Sequence, residues 1–354
     1  MKPIHIAMAC DEHYLPGALG TLASARVALE PEIPLEVDIL HDGLTPNSQA
    51  RLRRAIGRLR GETLVRFPPI NAGFENFPEF YFPSKLIYAR LLLPNLLDCE
   101  RVLYLDSDIL VLKSPRSLFE NPTHASGLGA ALESSMPLIA HDPPRGDSGQ
   151  EVDLTQPYFN SGFLLLEMSA IRRSGLFQRA FDILSRSPTA CKLHDQSALN
   201  YAANGAFDCL PQEWNAQNHR ACFDPVECLD TIRRRAINVH FVTKAKPWLT
   251  WCPYPAEEMF RILLDAVDPQ WRTPEFNARE QSIRRKHRHA GALSVCFHAR
   301  AALKKTLGHD SASDTRTAEF WSVCASDTRR LSQRAEEVDS LLQGWRNEIE
   351  SKLI

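Results

Sequence analysis

The sequence predicts an α/β protein with a single mixed, mainly parallel sheet that carries helices on both faces. Apolar runs that fit strands alternate with amphipathic segments that fit helices up to about residue 265. The strand-like runs are Ile4–Ala9, Leu35–Leu40, Thr63–Phe67 and Arg101–Leu105. The last run is apolar apart from its first residue and Tyr104, as expected of a strand covered by helices on both faces.

Helix signals fall between these runs. A helix is predicted over Gly17–Leu29, and a second one starts with Thr45 as N-cap and Pro46 in the first helical position. Leu52, Ile56 and Leu59 then lie on one face of that second helix. A long loop is predicted over residues 134–157, which are rich in Pro, Gly and Asp; a binding lid and a disordered insert are both compatible with it.

The character of the chain changes at about residue 268. We predict an α/β domain over residues 1–268 and a basic, helical C-terminal region over residues 269–354, whose last part, Glu319–Ile354, is expected to be one amphipathic helix. The basic stretch Arg284–Lys305 fits either a solvated helix or peripheral contact with an anionic membrane, where each basic residue contributes about 1 kcal/mol. Pairing of the final helix in a homodimer is also left open.

Composition excludes several classes of protein. The net charge of -2 gives no reason to expect a nucleic-acid partner. The nine cysteines contain no CxxC pair and are expected to be free thiols. The N-terminus fits a strand better than a signal peptide, and no apolar run of about 18 residues occurs, so a cytoplasmic location is expected. The glycine-rich dinucleotide and Walker motifs and the GxSxG elbow are absent from the sequence.

The clearest chemical motif is Asp106-Ser107-Asp108, which follows the strand Arg101–Leu105. Two carboxylates in this spacing can bind one divalent cation. A plain polar strand end is the alternative, but the apolar flanks on both sides make two adjacent acids costly unless their charge is compensated. His240, at the end of another apolar run, is a candidate third ligand, because imidazole suits manganese better than magnesium. Lys246 lies six residues later and can neutralise a phosphate.

Other polar residues stand at the ends of apolar runs. Asn160 and Ser161 open directly into an apolar strand, whereas Asp195 and Gln196 begin a helix. Asp11 follows the first strand. Ligands of doubly wound sheets bind at the carboxyl ends of the strands, so these residues are candidates for one site. Taken singly, each also fits a structural role, such as a helix-start acid.

In this order, these segments resemble glycosyltransferase family 8, which includes bacterial lipopolysaccharide glucosyl- and galactosyltransferases and glycogenin. The resemblance covers residues 1 to about 265. The segments that carry it are Tyr88-Ala89-Arg90-Leu91, Val102-Leu103-Tyr104-Leu105-Asp106-Ser107-Asp108, Tyr158-Phe159-Asn160-Ser161-Gly162, His194-Asp195-Gln196 and His240 with Lys246-Pro247-Trp248.

The resemblance implies a GT-A fold and retaining transfer of glucose or galactose from a UDP-sugar to a saccharide or lipid-linked saccharide, as in lipopolysaccharide or other surface glycan synthesis. It implies Mn²⁺, with Mg²⁺ as the alternative ion, held by Asp106, Asp108 and His240. The uridine would contact Ala9, Asp11, His13 and Tyr14, and Ser107 would lie beside the donor. The donor sugar would contact Arg90, Asn160, Ser161, Asp195 and Gln196, the last two being the catalytic candidates, and Lys246 would meet a phosphate.

Three positions depart from the family pattern. His13 stands where Asn is common, and Ser161 where Ala is common. Thr243 replaces a glycine that usually follows the metal-binding His by three residues, which puts the local phosphate contact in doubt. The alternatives are a nucleotide-sugar-binding protein, a hydrolase without saccharide transfer, and a self-glycosylating protein. The sequence does not choose between a double displacement and attack from the leaving-group face.

Overall fold

A computed structural model describes residues 2–70, 73–78, 85–121, 126–146, 151–218, 224, 226–250, 254–306 and 311–354. Ten strands lie in these ranges. They are β1 Ile4–Ala9, β2 Leu35–Leu40, β3 Thr63–Arg66, β4 Arg101–Leu105, β5 Ile109–Leu110, β6 Leu128–Leu132, β7 Phe159–Glu167, β8 Asp208–Cys209, β9 Ala216–Gln217 and β10 Val239–His240. The four strands predicted by pattern are confirmed.

The main sheet has the strand order β3-β2-β1-β4-β7-β6-β8. Strands β1 to β4 pair in parallel, whereas β7 runs antiparallel to both β4 and β6. The prediction of a mixed, mainly parallel sheet is therefore confirmed. β7 is buried along almost its whole length, because it lies in the middle of the sheet between two neighbours.

Helices and their caps cover both faces of this sheet. The described helices are α1 Leu15–Ala28, α2 Pro46–Ile56, α3 Leu93–Leu96, α4 Arg116–Glu120, α5 Met168–Ser174, α6 Leu176–Arg186, α7 Asp195–Ala203, α8 Leu229–Arg233, α9 Pro255–Val267, α10 Pro274–Arg288, α11 Ala290–Thr306, α12 Ala312–Gln333 and α13 Ala335–Lys352. Thr45 caps α2 as predicted, since its side chain accepts a hydrogen bond from the Ser48 backbone at 3.2 Å. Leu52, Ile56 and Leu59 are buried on one side of the sheet, and α6 and α7 fill the other.

A small second sheet, which the sequence pattern did not predict, completes the architecture. β10 pairs antiparallel with β5 and parallel with β9. His240 lies opposite Ile109 in this register, directly after the Asp106–Asp108 segment. Three strands of only two residues each leave little periodicity to read in a sequence. Their pairing brings His240 next to Asp106 and Asp108, which lie far away in the sequence.

The C-terminal region differs from its prediction in one respect. The expected single helix is two helices, α12 and α13, separated at Arg334. α13 turns back onto α9, and Trp345 donates a hydrogen bond to the Met259 carbonyl at 2.8 Å from within the core. Trp345 and Ile349 therefore belong to the same core as β1 and α1, and this apolar face is not free to pair with a second copy. The division at residue 268 stays a prediction.

The long loop predicted over residues 134–157 has local order. It contains a 3₁₀ turn over Ile139–His141, and the buried Asp142 accepts hydrogen bonds from Tyr158 and Ser197. Residues 147–150 of this loop, together with Cys222 and Cys252, lie outside the described residues. The other seven cysteines are free thiols, as predicted. Among the described helices, none has the length and apolar character to cross a bilayer.

Candidate active site

A cavity of about 380 Å³ opens at the carboxyl ends of β1 and β4 and at the amino end of the antiparallel β7. The predicted site residues line it, with the exception of His13. They come from separate segments because parallel strands end at the same edge of a sheet. His13 is exposed and packs edge-on against Tyr14, with 5.7 Å between the ring centroids. The cavity therefore unites thirteen of the fourteen predicted side chains, while the role of each stays a prediction.

A larger cavity of about 830 Å³ lies elsewhere, beside the start of β1 and β4. Its charged lining residues pair with one another, as in Lys2–Glu100 at 3.0 Å and Arg66–Asp38 at 2.9 Å. The smaller cavity instead gathers the buried acids Asp108, Asp195 and Glu133. We therefore assign the chemistry to the smaller cavity.

Three candidate metal ligands converge in this cavity. Atoms of Asp106, Asp108 and His240 lie within 4.8 Å of one another. His240 Nε2 is 3.1 Å from Asp108 Oδ1 and 3.8 Å from Asp106 Oδ2. Two carboxylates and an imidazole form a donor set that suits Mn²⁺.

Backbone hydrogen bonds fix these three residues. The Asp106 amide donates to the Gly162 carbonyl at 2.8 Å, and the Phe241 amide donates to the Asp108 carbonyl at 2.9 Å. The first bond ties the motif to β7, and the second ties it to the segment after β10. The ligands are thus set by strand pairing on two sides, which is the rigid support that a metal site requires.

Asp108 is a buried acid with one carboxylate oxygen that lacks a hydrogen-bond partner among the described residues. Its Oδ1 is buried and accepts no aligned hydrogen bond from the described residues, despite the 3.1 Å approach of His240. Its Oδ2 accepts a hydrogen bond from Lys246 Nζ at 2.5 Å. Burial raises the pKa of Asp108, but Lys246 and His240 outweigh burial and hold that pKa well below its usual range. An ionised, buried and partly unsatisfied carboxylate fits the divalent cation that the resemblance implies.

Arg90 links this acid cluster to the predicted sugar-binding residues. Its Nη2 lies 2.9 Å from Asp106 Oδ1, and its Nε lies 2.9 Å from Asp195 Oδ2. The guanidinium also stacks over the Tyr104 ring at 4.6 Å and donates to Ser161 Oγ at 3.0 Å. The buried guanidinium of Arg90 therefore offsets the negative charges of two acids. This pairing explains how both acids can line the same cavity.

Asp195 is held in an unfavourable environment. Burial raises the pKa of Asp195 to about 6. The positive charge of Arg90 lowers this pKa, whereas the negative charge of Asp106 raises it. The preceding residue, His194, has a φ of 54°, which is uncommon for a residue other than glycine. This backbone turn starts α7 so that Asp195 and Gln196 face the cavity. Strain and buried charge of this kind concentrate at functional sites.

The first strand supplies the other wall. Ser107 Oγ donates to the Ala9 carbonyl at 2.9 Å, and the Tyr14 amide donates to Asp11 Oδ1 at 2.9 Å. Tyr14 meets Trp248 edge-on, with 5.7 Å between the ring centroids. A side chain at Gly17 would lie 2.5 Å from the Trp248 ring, so glycine is required for the indole to pack there. Trp248 thereby connects the segment after His240 to α1.

Three residues around the site were not singled out from the sequence. Glu133 follows β6, is buried and contacts Asn160; a strand-end acid after Leu128–Leu132 was the available signal. Asn215 contacts His240, and no pattern in the sequence marks it. In the sequence Gly162 stands out only as the last residue of a motif. In the structure, the absence of a side chain at this position leaves room for the candidate metal ligands.

Thr243, which stands where the family pattern has glycine, has an ordinary backbone conformation. Thr243 does not adopt a positive φ, since the described non-glycine residues that do are His194, Asn204 and Arg235. Lys246 reaches Asp108 from the same segment. The local path after His240 therefore does not require glycine's conformational freedom.

We predict that Gly162→Ala weakens Mn²⁺ binding by on the order of 10- to 100-fold, a typical cost of disturbing groups around a metal. A Cβ at this position would lie 2.3 Å from His240 Cε1 and 2.7 Å from Asp106 Oδ2, so two ligands must move. Titration of free Mn²⁺ by electron paramagnetic resonance measures the affinity. Gly129→Ala on the adjacent strand is the control, because its Cβ would meet Leu165 at an ordinary 3.4 Å. Equal affinity in both variants would contradict the prediction.

We also predict a pH-dependent stability difference between wild type and Asp195→Asn in the absence of metal. The folded-state pKa of Asp195, about 6, lies above the usual aspartate pKa of 3.8. A raised carboxyl pKa means that the wild type loses stability as pH rises from about 4 to about 6, by on the order of 2–3 kcal/mol, and then levels off. Urea denaturation across this range gives the difference. A difference that stays flat or changes in the other direction would exclude the raised pKa.

Comparison with known proteins identifies the class. Residues 5–252 match the model of glycosyl transferase family 8. General stress protein A of Bacillus subtilis (strain 168) is 24% identical over 271 residues, which cover 73% of this chain and 91% of that protein. Lipopolysaccharide 1,2-glucosyltransferase of Escherichia coli (strain K12) is 23% identical over 335 residues, with 85% and 92% covered.

A solved structure agrees with these relatives. The crystal structure of the galactosyltransferase LgtC in complex with donor and acceptor sugar analogues superimposes with a TM-score of 0.62 at 25% identity. The match covers 77% of this chain and 98% of LgtC. The main sheet with its helical layers is accordingly a GT-A fold. This glycosyltransferase belongs to family 8.

Proposed function

We propose that this protein transfers glucose or galactose from a UDP-sugar to a saccharide acceptor with retention of anomeric configuration, and that Mn²⁺ is its metal ion. The convergence of Asp106, Asp108 and His240 beside Lys246 carries this proposal. It supports transfer over a purely structural role because a buried acid cluster with an unsatisfied carboxylate oxygen is costly without a ligand. The proposed location is the cytoplasm, at the inner face of the membrane.

The charges of the site fit the departure of a nucleoside diphosphate. A divalent cation at the three ligands would stabilise the negative charge that develops on the diphosphate. Lys246 is buried and donates to both Asp108 and the Phe241 carbonyl, so its ammonium is fixed beside the proposed phosphate position. A fixed positive charge in a site that excludes water stabilises a developing anion more than the same charge does in water.

The opposite wall fits the donor sugar. Asp195 pairs with Arg90, and Gln196 Oε1 accepts a hydrogen bond from the Ser161 amide at 3.0 Å. These contacts orient both side chains toward the cavity before a ligand arrives. Asp195 is the carboxylate that a double displacement would use, whereas Gln196, as an uncharged amide, is suited to orienting a sugar hydroxyl.

The acceptor proposal rests on the relatives. One similar protein is a lipopolysaccharide 1,2-glucosyltransferase of Escherichia coli, and another is a lipopolysaccharide 1,3-galactosyltransferase of Salmonella typhimurium, 22% identical over 265 residues. We infer a lipopolysaccharide-type saccharide as the acceptor class. A free-sugar product without acceptor would instead indicate hydrolysis, and mass added to the protein itself would indicate self-glycosylation.

We predict that Asp108→Asn lowers transfer by on the order of 10²–10³-fold or more, since it removes a charge from the proposed phosphate-binding site. A panel of nucleotide sugars with Mn²⁺, measured with and without oligosaccharide acceptor, identifies the donor and the reaction. Asp98→Asn is the matched control. Asp98 is an exposed acid that precedes β4, at the end of that strand away from the cavity. Wild-type transfer by purified, folded Asp108→Asn would refute the proposed metal site.

A surface of α11 supports the peripheral membrane contact. Val295 is 69% exposed and Leu303 is 61% exposed, and the smaller side chains of Ala292, Cys296 and Ala299 are exposed at helical spacing between or beside them. The same helix and the preceding α10 also carry exposed basic residues, namely Arg284, Arg285, Lys286, Arg288, Arg300 and Lys305. An apolar stripe together with basic residues is the pattern of a helix that lies in an anionic interface.

We predict that the double variant Val295→Asp/Leu303→Asp loses binding to anionic vesicles by tenfold or more, because each buried aliphatic side chain contributes about 1.5–3 kcal/mol. Co-sedimentation with vesicles that contain or lack anionic lipid measures this. Leu64→Asp is the control, since Leu64 is 50% exposed on β3. Unchanged sedimentation of the double variant would remove the membrane proposal and leave the catalytic one intact.

A further inference from the structure

A chain of buried amides connects the candidate metal ligand His240 to the sugar-binding wall. His240 Nδ1 lies 2.9 Å from Asn215 Oδ1, and Asn215 Nδ2 donates to Asn160 Oδ1 at 2.9 Å. Asn160 Nδ2 in turn donates to Glu133 Oε2 at 2.9 Å. Asn215 is fully buried, and Asn160 and Glu133 are nearly so. Each bond in such a network restricts the orientation of the next.

The direction of these hydrogen bonds is fixed at Asn160. The Gly162 backbone amide, which can only donate, lies 3.0 Å from Asn160 Oδ1. On the other side of the same amide, Asn160 Nδ2 donates to Glu133 Oε2. Asn160 must therefore present its oxygen toward Gly162 and Asn215, and its nitrogen toward Glu133.

This orientation propagates to the imidazole. Because Asn160 presents an oxygen, Asn215 must present its Nδ2 there, and its Oδ1 is left facing His240. A carbonyl oxygen requires a donor, so Nδ1 of His240 carries a proton. In the neutral ring, the lone pair is then on Nε2, the nitrogen that faces Asp108 and Asp106. That is the nitrogen a metal ion needs.

We propose that Asn215 is a positioning residue that places the His240 proton on Nδ1 and so keeps Nε2 available as a metal ligand. This inference rests on the proposed metal site and adds the residue that prepares it. The orientation originates in the backbone amide of Gly162 and reaches His240 through two asparagine side chains. Gln196 Nε2 also lies 3.5 Å from Glu133 Oε2, so the same network ends at the proposed sugar-binding residue.

The first test needs no metal. In protein labelled with ¹⁵N-histidine, long-range proton–nitrogen correlations at alkaline pH report which ring nitrogen is protonated, and His240→Gln identifies the signal of His240. We expect the proton on Nδ1 in the wild type. In Asn215→Leu we expect a shift of the proton toward Nε2, since Asp108 is then the remaining acceptor beside the ring. A wild-type ring protonated on Nε2 would overturn the proposal.

The second test measures Mn²⁺ affinity by titration of the free-ion resonance signal. Asn215→Leu should weaken binding by about 10- to 100-fold, a typical effect of removing an outer partner of a metal-bound histidine. Asn215→Asp keeps an acceptor for the Nδ1 proton, and we expect it to bind Mn²⁺ at least as tightly as the wild type. A purely structural role would instead impair both variants alike.

The matched control is Asn238→Leu. Asn238 is a buried asparagine near the same small sheet. Its side chain accepts hydrogen bonds from the Leu112 and Lys113 amides and donates one to the Trp214 carbonyl, so these bonds go to residues other than His240 and Asn160. It should lower the melting temperature without changing Mn²⁺ affinity. If Asn215→Leu binds Mn²⁺ like the wild type, the role of Asn215 fails. If the wild type itself binds no Mn²⁺, the proposed metal site fails instead.

Discussion

The concentration of buried negative charge at one edge of the sheet is the constraint on which this structure depends. Asp106, Asp108, Asp195 and Glu133 all point into a cavity of about 380 Å³. Like charges in a poorly hydrated site repel one another, and each pays a desolvation cost. Arg90 is shared by Asp106 and Asp195, and Lys246 pairs with Asp108, so two cations offset three of these four acids. The site thus has a net negative character that favours a divalent cation, and the surrounding architecture keeps its members in place.

The fold explains why the short strands β5, β9 and β10 are important for the geometry of the site. The main sheet delivers Asp106 and Asn160 from adjacent antiparallel strands, and this closeness lets the Asp106 amide bond to the Gly162 carbonyl. The small sheet of β5, β9 and β10 is short, and Ile109, Leu110 and Val239 bury it in the main core. Its register nevertheless decides where His240 lies, and a shift of one residue would turn the imidazole to the other side.

Much of this could be predicted from the sequence, for physical reasons that differ from residue to residue. The buried strands β1, β2 and β4 are continuous apolar runs, and Thr45-Pro46 is a strong helix start, so local chemistry identifies them. The candidate ligands stand at strand ends, where the motif order also carries the family resemblance. Asn215 and Glu133 could not be assigned in this way, because their importance comes from partners 25 and 27 residues away in the chain. The break at Arg334 was missed because the amphipathic pattern continues on both sides of it, and the return of α13 is a tertiary effect.

The position of Trp345 has a consequence for how the protein is made. This indole fills the layer that α1 and α9 form against the main sheet, and Ile349 lies beside it. Both residues leave the ribosome long after the strands and helices that they cover. During synthesis the nascent chain must therefore expose an apolar groove on α9 until α13 emerges. The core layer over α9 is therefore complete only once this C-terminal helix has docked.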